Sequence, residues 1–317
     1  MRADRSSDAE RVDAGAPSVD PGRAPQVLVR GLDFPEAPRW HGDRLWFSDV
    51  RAQRILSISE SGDLEVEVEL DTQPSGLGFM PDGSLLVVSV TEQKVLRVHG
   101  GRVGLHADLR GLPGLSAPDF LNDMVVTPAG DAYVGSRVPN IGPHAPMAGD
   151  VLIHLAPDGT ATVVERGLDG TNGMVLVDDL LVIAETNGRR LSARRIQSPT
   201  LLDEPFAYGD VQGAFPDGIS ADAEDGVWVA SVFTGPFVRV TRGGAVTHTV
   251  RPAVGEAVAC ELGGRNGDLL FLCCADAAAL RRGWDEAAGT WVPVEGPEPH
   301  DSGTIQVVRA PFPRRAG

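Results

Sequence analysis

FPDGISADAEDGVWVASVFTGPFVRV, residues 215–240, is the stretch of sequence that decides the fold. The turn AEDG, residues 223–226, leads into the strongly apolar strand VWVAS and then into an alternating strand. Asp and Gly supply the backbone angles that a hairpin turn needs. The same order of turn, apolar strand and further strand recurs in five other segments, which begin at residues 34, 73, 120, 170 and 256. Their spacing of about 40 to 50 residues is the period of propeller blades.

The rest of the chain supports an all-β, six-bladed β-propeller. The second strand of each unit is apolar throughout, as in LWFS, LLVVS and VWVAS, which favours burial between two neighbouring blades. The 38 glycines and 24 prolines argue against long helices.

Pairing of QVLVRGL (26–32) with TIQVVRA (304–310) would close the ring and remove two exposed sheet edges. We therefore predict one propeller domain at 25–312. It would be preceded by a disordered polar tail at 1–24 that has no secretory signal, and followed by a short tail at 313–317.

Composition excludes several classes of function. The formal net charge of −16 and the absence of a basic patch argue against a nucleic-acid partner. No apolar run approaches the ~20 residues of a membrane-spanning helix. Cys260, Cys273 and Cys274 form neither a zinc nor a disulfide pattern and are expected to be buried free thiols. We expect a cytoplasmic monomer or small homo-oligomer.

Four of the repeats carry an oxygen-bearing side chain at the same point, just before the first strand of the unit: Glu36, Asn122, Asn172 and Asp217. If the units close into a ring, these residues meet on one axis. Two carboxylates and two amides suit a hard divalent cation such as calcium, magnesium or manganese, and zinc also accepts carboxylates. The alternative is that Asn-Gly and Asp-Gly only favour tight turns.

Several motifs together resemble the SMP-30/gluconolactonase/luciferin-regenerating-enzyme family: PEAPRW, LWFSD, PSGLGFMPDG, NDMVV, TNGM and FPDGISADAEDGVWVA. The resemblance spans roughly residues 30 to 310. It implies a six-bladed propeller with one divalent metal on the axis and hydrolysis of sugar lactones. It also implies that Glu36, Asn172 and Asp217 are the metal ligands and that Asn122 contacts metal-bound water or substrate.

Two departures from the family pattern concern the substrate. Sugar lactonases of the family often carry an arginine two residues before the asparagine of LND, where this chain has Phe120. The segment RVPNIGPH (137–144) also lacks a carboxylate that the resemblance leads us to expect there. Both changes predict a less polar lactone, with Phe120 and His144 in contact with it. A solvated loop residue is the alternative for His144, and the sequence leaves open whether 137–150 acts as a lid.

The sequence therefore predicts a divalent-metal-dependent lactonase. Calcium is the first choice of cation, and zinc, magnesium or manganese are alternatives. Asp217 would be both ligand and general base for the attacking water. No serine-esterase elbow, P-loop or dinucleotide fingerprint occurs.

Three alternatives stay open at this point. The first is another metal-assisted reaction at the same site, such as isomerisation, hydration or cyclisation. The others are a non-catalytic binding propeller and a strictosidine-synthase-like propeller.

Overall fold

The computed structural model describes residues 24–115, 120–137, 149–211, 213–280, 284–285, 290–291 and 301–315. Its regular structure is almost entirely β-strand. Five four-stranded sheets and one five-stranded sheet form six blades in succession along the chain. This arrangement confirms the predicted six-bladed β-propeller.

The strands follow the predicted units. Strand β1 spans Gln26–Leu32. Blade 1 contains β2 (Pro35–His41), β3 (Arg44–Asp49), β4 (Arg54–Ser59) and β5 (Leu64–Glu69). Blade 2 contains β6 (Pro74–Phe79), β7 (Leu85–Ser89), β8 (Lys94–His99) and β9 (Arg102–Asp108). Blade 3 contains β10 (Phe120–Val126), β11 (Ala132–Arg137), β12 (Asp150–Leu155) and β13 (Ala161–Leu168).

The second half of the chain repeats this order. Blade 4 contains β14 (Thr171–Val177), β15 (Leu180–Glu185), β16 (Arg190–Ser198), β17 (Leu201–Leu202) and β18 (Phe206–Asp210). Blade 5 contains β19 (Phe215–Ala221), β20 (Gly226–Val232), β21 (Phe237–Thr241) and β22 (Val246–Val250). Blade 6 begins with β23 (Glu256–Gly263) and β24 (Leu269–Ala275). After the helix α1 (Ala277–Leu280) and the strand pair β25 (Trp284–Asp285) and β26 (Thr290–Trp291), β27 (Gly303–Arg309) joins this blade.

The N-terminal strand completes the last blade. β1 pairs antiparallel with β27, from Gln26 opposite Val307 to Leu32 opposite Gly303. Blade 6 therefore has the order β1-β27-β24-β23. The predicted closure is confirmed, and it joins the two ends of the chain in one sheet.

The core lies between the blades. In the described part of the chain it consists of six hydrophobic clusters, one at each interface between neighbouring blades. The second strands contribute most, since every residue of β7, β15 and β20 is buried. Both faces of these strands contact a neighbouring sheet, which explains why their sequences are apolar throughout instead of alternating. Cys260, Cys273 and Cys274 are free and buried here, as expected.

The first strands of the six blades form the inner ring. β2, β6, β10, β14, β19 and β23 contact one another in turn and close the circle. Each shows a register shift against the second strand of its blade, of the kind that a β-bulge produces. The shifts lie between these pairs: Glu36/Arg39, Pro74/Leu77, Leu121/Met124, Thr171/Met174, Pro216/Ile219 and Ala257/Ala259.

The four oxygen-bearing residues lie at these bulges. We expected Glu36, Asn122, Asn172 and Asp217 in turns before the inner strands, and in this detail the prediction was wrong, because all four lie inside the strands. The irregularity that the sequence carries at these points is a bulge, which locally re-aims side chains without ending the strand.

Close backbone approach around the ring requires small residues. A Cβ at Gly173 would lie 2.6 Å from the backbone oxygen of Asp217 on the next blade. A Cβ at Gly76 would lie 2.6 Å from the backbone nitrogen of Met124. A Cβ atom does not approach other heavy atoms this closely, so glycine at these positions lets the inner strands pack as closely as they do.

Residues 313–315 contact blades 4 and 5. The backbone N–H of Ala223 donates to the carbonyl oxygen of Pro313, and Arg315 forms ion pairs with Asp178 and Asp225. The predicted domain limits stay predictions. Among the described residues, no helix has the length and hydropathy that crossing a lipid bilayer requires.

Replacing Gly173 by alanine is expected to lower the free energy of unfolding by about 1–3 kcal/mol, because the new methyl group overlaps the backbone of β19. Urea denaturation measures the change. The control is Gly104→Ala on exposed β9, where a Cβ would meet no atom within 4 Å, and its effect should stay within about 0.5 kcal/mol. Equal effects of the two substitutions would contradict the close approach of the inner strands.

Candidate metal centre

Asn172 and Asp217 are tied together by a chain of hydrogen bonds between blades 4 and 5. Both side chains are buried, each with 6% exposure. Nδ2 of Asn172 donates to Oγ1 of Thr186 at 3.1 Å, and this hydroxyl donates to the carbonyl oxygen of Pro216 at 2.8 Å. The entry to β14 is fixed by Asp150, whose carboxylate accepts the backbone N–H groups of the two residues before Asn172. The two candidate ligands are therefore held in a fixed relation to each other.

Glu36 is positioned by the loop that precedes β2. Oδ1 of Asp49 accepts the backbone N–H groups of Asp33 and Phe34, both at 2.8 Å. Ala37 adopts a left-handed backbone with φ of 47°, which is uncommon for a residue with a side chain and marks the bulge. Oε2 of Glu36 accepts the N–H of Ala37 at 3.0 Å. The carboxylate is thus oriented by its own bulge.

Asn122 links blade 3 to blade 4. Its Nδ2 donates to the carbonyl oxygen of Thr171 at 2.9 Å. The amide nitrogens of Asn122 and Asn172 are therefore both bound to the protein. Within the described residues, neither amide oxygen accepts a hydrogen bond. Each asparagine thus keeps an oxygen for a ligand.

The two carboxylates have perturbed acidities. Burial raises the pKa of Asp217 to about 7; Arg137 and a hydrogen bond from Asn172 oppose the shift, and the charge of Asp123 adds to it. Burial also raises the pKa of Glu36 well above its usual value, and the charges of Asp217 and Asp123 raise it further. Glu36 and Asp217 are thus close enough for their charges to repel each other, although they belong to different blades.

The donor set fits a hard divalent cation. In the part of the chain that the structure describes, neither Glu36 nor Asp217 forms an ion pair with a basic side chain. A buried and a half-buried carboxylate of like charge are costly side by side without a cation, and carboxylate and amide oxygens are the ligands that calcium prefers. The described residues contain no group of three or more His, Cys, Asp or Glu side chains that could hold a metal. A cation here would depend on the asparagine oxygens as well.

Asp123 and Arg39 are two site residues that the sequence analysis missed. Asp123 is buried and pairs with Nη2 of Arg39 at 3.1 Å. The same nitrogen donates to the carbonyl oxygen of Met124 at 2.6 Å, so Arg39 of blade 1 reaches across to blade 3. One signal in the sequence pointed to Asp123, which directly follows Asn122 in the LND motif. The partner Arg39 could not be found, because it lies 84 residues away.

The aromatic residues at the start of the inner strands are partly exposed. Phe120 is the first residue of β10, and Phe215 is the first residue of β19. Each is half-buried and stands two residues before a candidate site residue. Phe215 also stacks edge-on against Phe233, with ring centroids 5.8 Å apart. His144 and most of the 137–150 segment lie outside the described residues.

A cavity of about 450 Å³ opens at the other end of the inner strands. Its lining includes Arg39, Met174 and Ile219, which follow the bulges, and Arg314 and Arg315 from the chain terminus. None of the four oxygen-bearing residues lines it. The candidate metal centre is therefore separate from this cavity.

Comparison with known proteins agrees with the family resemblance that the sequence motifs carry. The model of the SMP-30/Gluconolactonase/LRE-like region matches residues 34–276. Pentonolactonase XacC of Haloferax volcanii is 27% identical over 261 residues, which cover 79% of this chain and 84% of that protein.

Solved structures share the fold at low identity. A luciferin-regenerating enzyme superposes with a TM-score of 0.76 and 17% identity, covering 93% of this chain and 98% of that one. Regucalcin from Agrobacterium tumefaciens, described as a calcium-binding protein, has a TM-score of 0.70 and 20% identity, with 92% and 97% covered.

We expect the metal-free protein to lose stability as the pH rises from about 4 to 7. Over this range the folded protein keeps a proton on Asp217 that the unfolded chain has released. The stabilising contribution of this group is therefore complete below its unfolded pKa and is lost as the pH rises through about 7. The stability of the wild type should fall relative to that of Asp217→Asn by up to about 1.4 kcal/mol per pH unit.

Urea denaturation with a chelator present, at several pH values, measures this difference. The same pH dependence in both proteins would show that Asp217 titrates normally.

Proposed function

The chain belongs to the SMP-30/Gluconolactonase/LRE-like family, and from this membership we propose that it hydrolyses lactones with the help of one divalent cation. The observation that carries the proposal is the placement of Glu36, Asn172 and Asp217 at equivalent bulges of the inner ring. The pentonolactonase relative supports the reaction class.

Glu36, Asn172 and Asp217 would hold the cation. We propose calcium first, because all of these donors are oxygens and because regucalcin is described as calcium-binding. Zinc, magnesium and manganese are alternatives that also accept carboxylates. Such a cation polarises a carbonyl group and lowers the pKa of water.

The side chains then have distinct roles in ring opening. Asp217 takes a proton from the attacking water as this water adds to the lactone carbonyl carbon. The acyl C–O bond of the ring then breaks, and the proton held by Asp217 passes to the leaving ring oxygen, which gives a hydroxy acid and returns Asp217 to its carboxylate form. A cation nearby lowers the pKa of Asp217 from its raised value, so its basicity in the loaded enzyme is modest. Asn122 orients substrate or water through its free amide oxygen. Glu36 mainly balances the charge of the cation.

We propose a substrate that is less polar than a simple sugar lactone. Half-buried Phe120 and Phe215 present aromatic surface at the end of the inner strands where the candidate ligands lie. His144 as a further substrate contact is a proposal from the sequence alone. The cytoplasmic location, the oligomeric state and the lack of nucleic-acid or membrane partners likewise stay predictions.

Replacing Asp217 by alanine is expected to abolish cation binding and to lower lactonase activity by roughly 100-fold or more, because it removes both a ligand and the base. The control is Asp82→Ala, in the same Pro-Asp-Gly sequence but in the exposed β6–β7 turn. The Asp82→Ala variant should keep both cation binding and lactonase activity. Elemental analysis and hydrolysis in ¹⁸O-labelled water measure cation and product, respectively, and one labelled oxygen should enter the carboxylate. Activity that survives loss of the cation would contradict the mechanism.

A panel of lactones tests the proposed polarity of the substrate. With the cation bound, kcat/KM should be higher for lactones that carry apolar substituents than for gluconolactone, because Phe120 offers contact area but no hydrogen bond. Phe120→Ala should reduce this preference about 10-fold. A clear preference of the wild type for gluconolactone would contradict the proposal.

A further inference from the structure

Arg137 brings a guanidinium group to the edge of the candidate metal centre. It is the last residue of β11 and pairs directly with Phe120, the first residue of β10. Directly opposed residues of an antiparallel pair place their side chains on the same face, with Cβ atoms about 4.5–5.5 Å apart. Arg137 therefore lies beside Phe120. Phe120 in turn stands two residues before Asn122 in the chain.

The surroundings of Arg137 are negative. The charges of Asp217, Asp150 and Glu36 all act on its guanidinium. It nevertheless forms no ion pair with a carboxylate in the described ranges, whereas buried Arg194 and Arg239 pair with Glu165 and Asp222. Several carboxylates therefore attract the guanidinium of Arg137, but none of them forms an ion pair with it.

One nitrogen of Arg137 lacks an acceptor. Its Nε is buried and has no hydrogen-bond partner among the described residues. A buried N–H without an acceptor destabilises a protein, and a guanidinium has five N–H donors to satisfy. Arg315 also has a buried Nε without a partner, but it forms ion pairs with Asp178 and Asp225, whereas Arg137 forms none in the described ranges. The unpaired Nε and the missing ion pair together leave Arg137 with donors for a ligand.

We propose that Arg137 is a substrate-binding residue that donates hydrogen bonds to an uncharged oxygen substituent on the lactone ring. This inference rests on the proposed function. The acceptor is uncharged because three carboxylates already act on Arg137, and a charged substituent would add a fourth negative charge at the same place. A hydroxyl or carbonyl oxygen accepts hydrogen bonds from the guanidinium without this cost.

Together, Phe120 and Arg137 define the class of substrate. The phenyl ring favours an apolar part of the lactone, and the guanidinium on the adjacent strand favours one oxygen next to it. A simple sugar lactone carries hydroxyl groups all round its ring and offers less apolar surface to Phe120. The substrate class is therefore a lactone with an apolar side and a single neighbouring oxygen substituent.

A matched pair of lactones tests this role. γ-Butyrolactone and α-hydroxy-γ-butyrolactone differ by one hydroxyl group. The calcium-loaded wild type should favour the hydroxylated lactone in kcat/KM by about 10- to 100-fold, which is the range for a hydrogen bond to a charged group. Arg137→Met should lose this preference, mainly through a higher KM for the hydroxylated lactone. Arg195→Met, which removes an exposed arginine paired with Asp179, is the control and should keep the preference.

Further variants separate binding from a structural role. Arg137→Lys keeps the positive charge near Glu36 and Asp217, so it should fold and retain a reduced preference even if Arg137→Met does not fold. The double variant Phe120→Arg with Arg137→Met moves the guanidinium across the strand pair and should restore part of the preference. A structural counter-ion would instead change cation affinity and slow both lactones equally.

Two results would overturn the inference. One is an unchanged preference in Arg137→Met, and the other is an equal loss of activity on both lactones with weakened calcium binding. A wild type that opens no lactone at all would refute the proposed function, and this inference with it. An active wild type with an unaltered Arg137→Met would refute the inference alone.

Discussion

The close contact between the backbones of the six inner strands is the constraint on which the rest of the structure depends. Gly76 and Gly173 let each strand approach its neighbour more closely than a Cβ would allow. The ring is therefore narrow, and residues from different blades meet across it. The bulges lie at the same place, so the side chains that the bulges re-aim belong to the region of tightest packing. Strand β1 completes blade 6 and joins the two ends of the described chain in one sheet, because it covers the edge that β27 would otherwise expose.

A narrow ring has electrostatic consequences. Glu36 and Asp217 come from blades 1 and 5, yet the charge of Asp217 raises the pKa of half-buried Glu36. Protonation would relieve this repulsion in the absence of a cation, and the proposed divalent cation would relieve it at neutral pH. Proton and cation are thus expected to compete for the same oxygens. Arg39 pairs with Asp123 beside this site, but the charge of Asp123 still raises the pKa of Glu36 and Asp217, so the pair supplies no counter-charge to them.

The outer part of the site combines apolar and cationic groups. Phe120 alone suggests a less polar pocket than in sugar lactonases, which was the interpretation drawn from the sequence. The strand pairing of β10 and β11 places Arg137 directly beside it. The two side chains lie 17 positions apart in the chain, and only the register of the sheet makes them neighbours. Phe120 stands where sugar lactonases of the family often have an arginine. A guanidinium can still be present at this place, because Arg137 on the adjacent strand β11 carries one.

The sequence by itself determined the repeat, the apolar second strands, the closure of the ring and the four oxygen-bearing positions. These follow from local chemistry: turn residues, strand composition and a short motif each act within a few residues. Only the tertiary structure decided that these positions are bulges inside strands, that Arg39 reaches Asp123 from two blades away, and that Arg137 stands beside Phe120. Such relations depend on strand register and on the curvature of the ring. Both result from packing among all six blades, which no local stretch of sequence encodes.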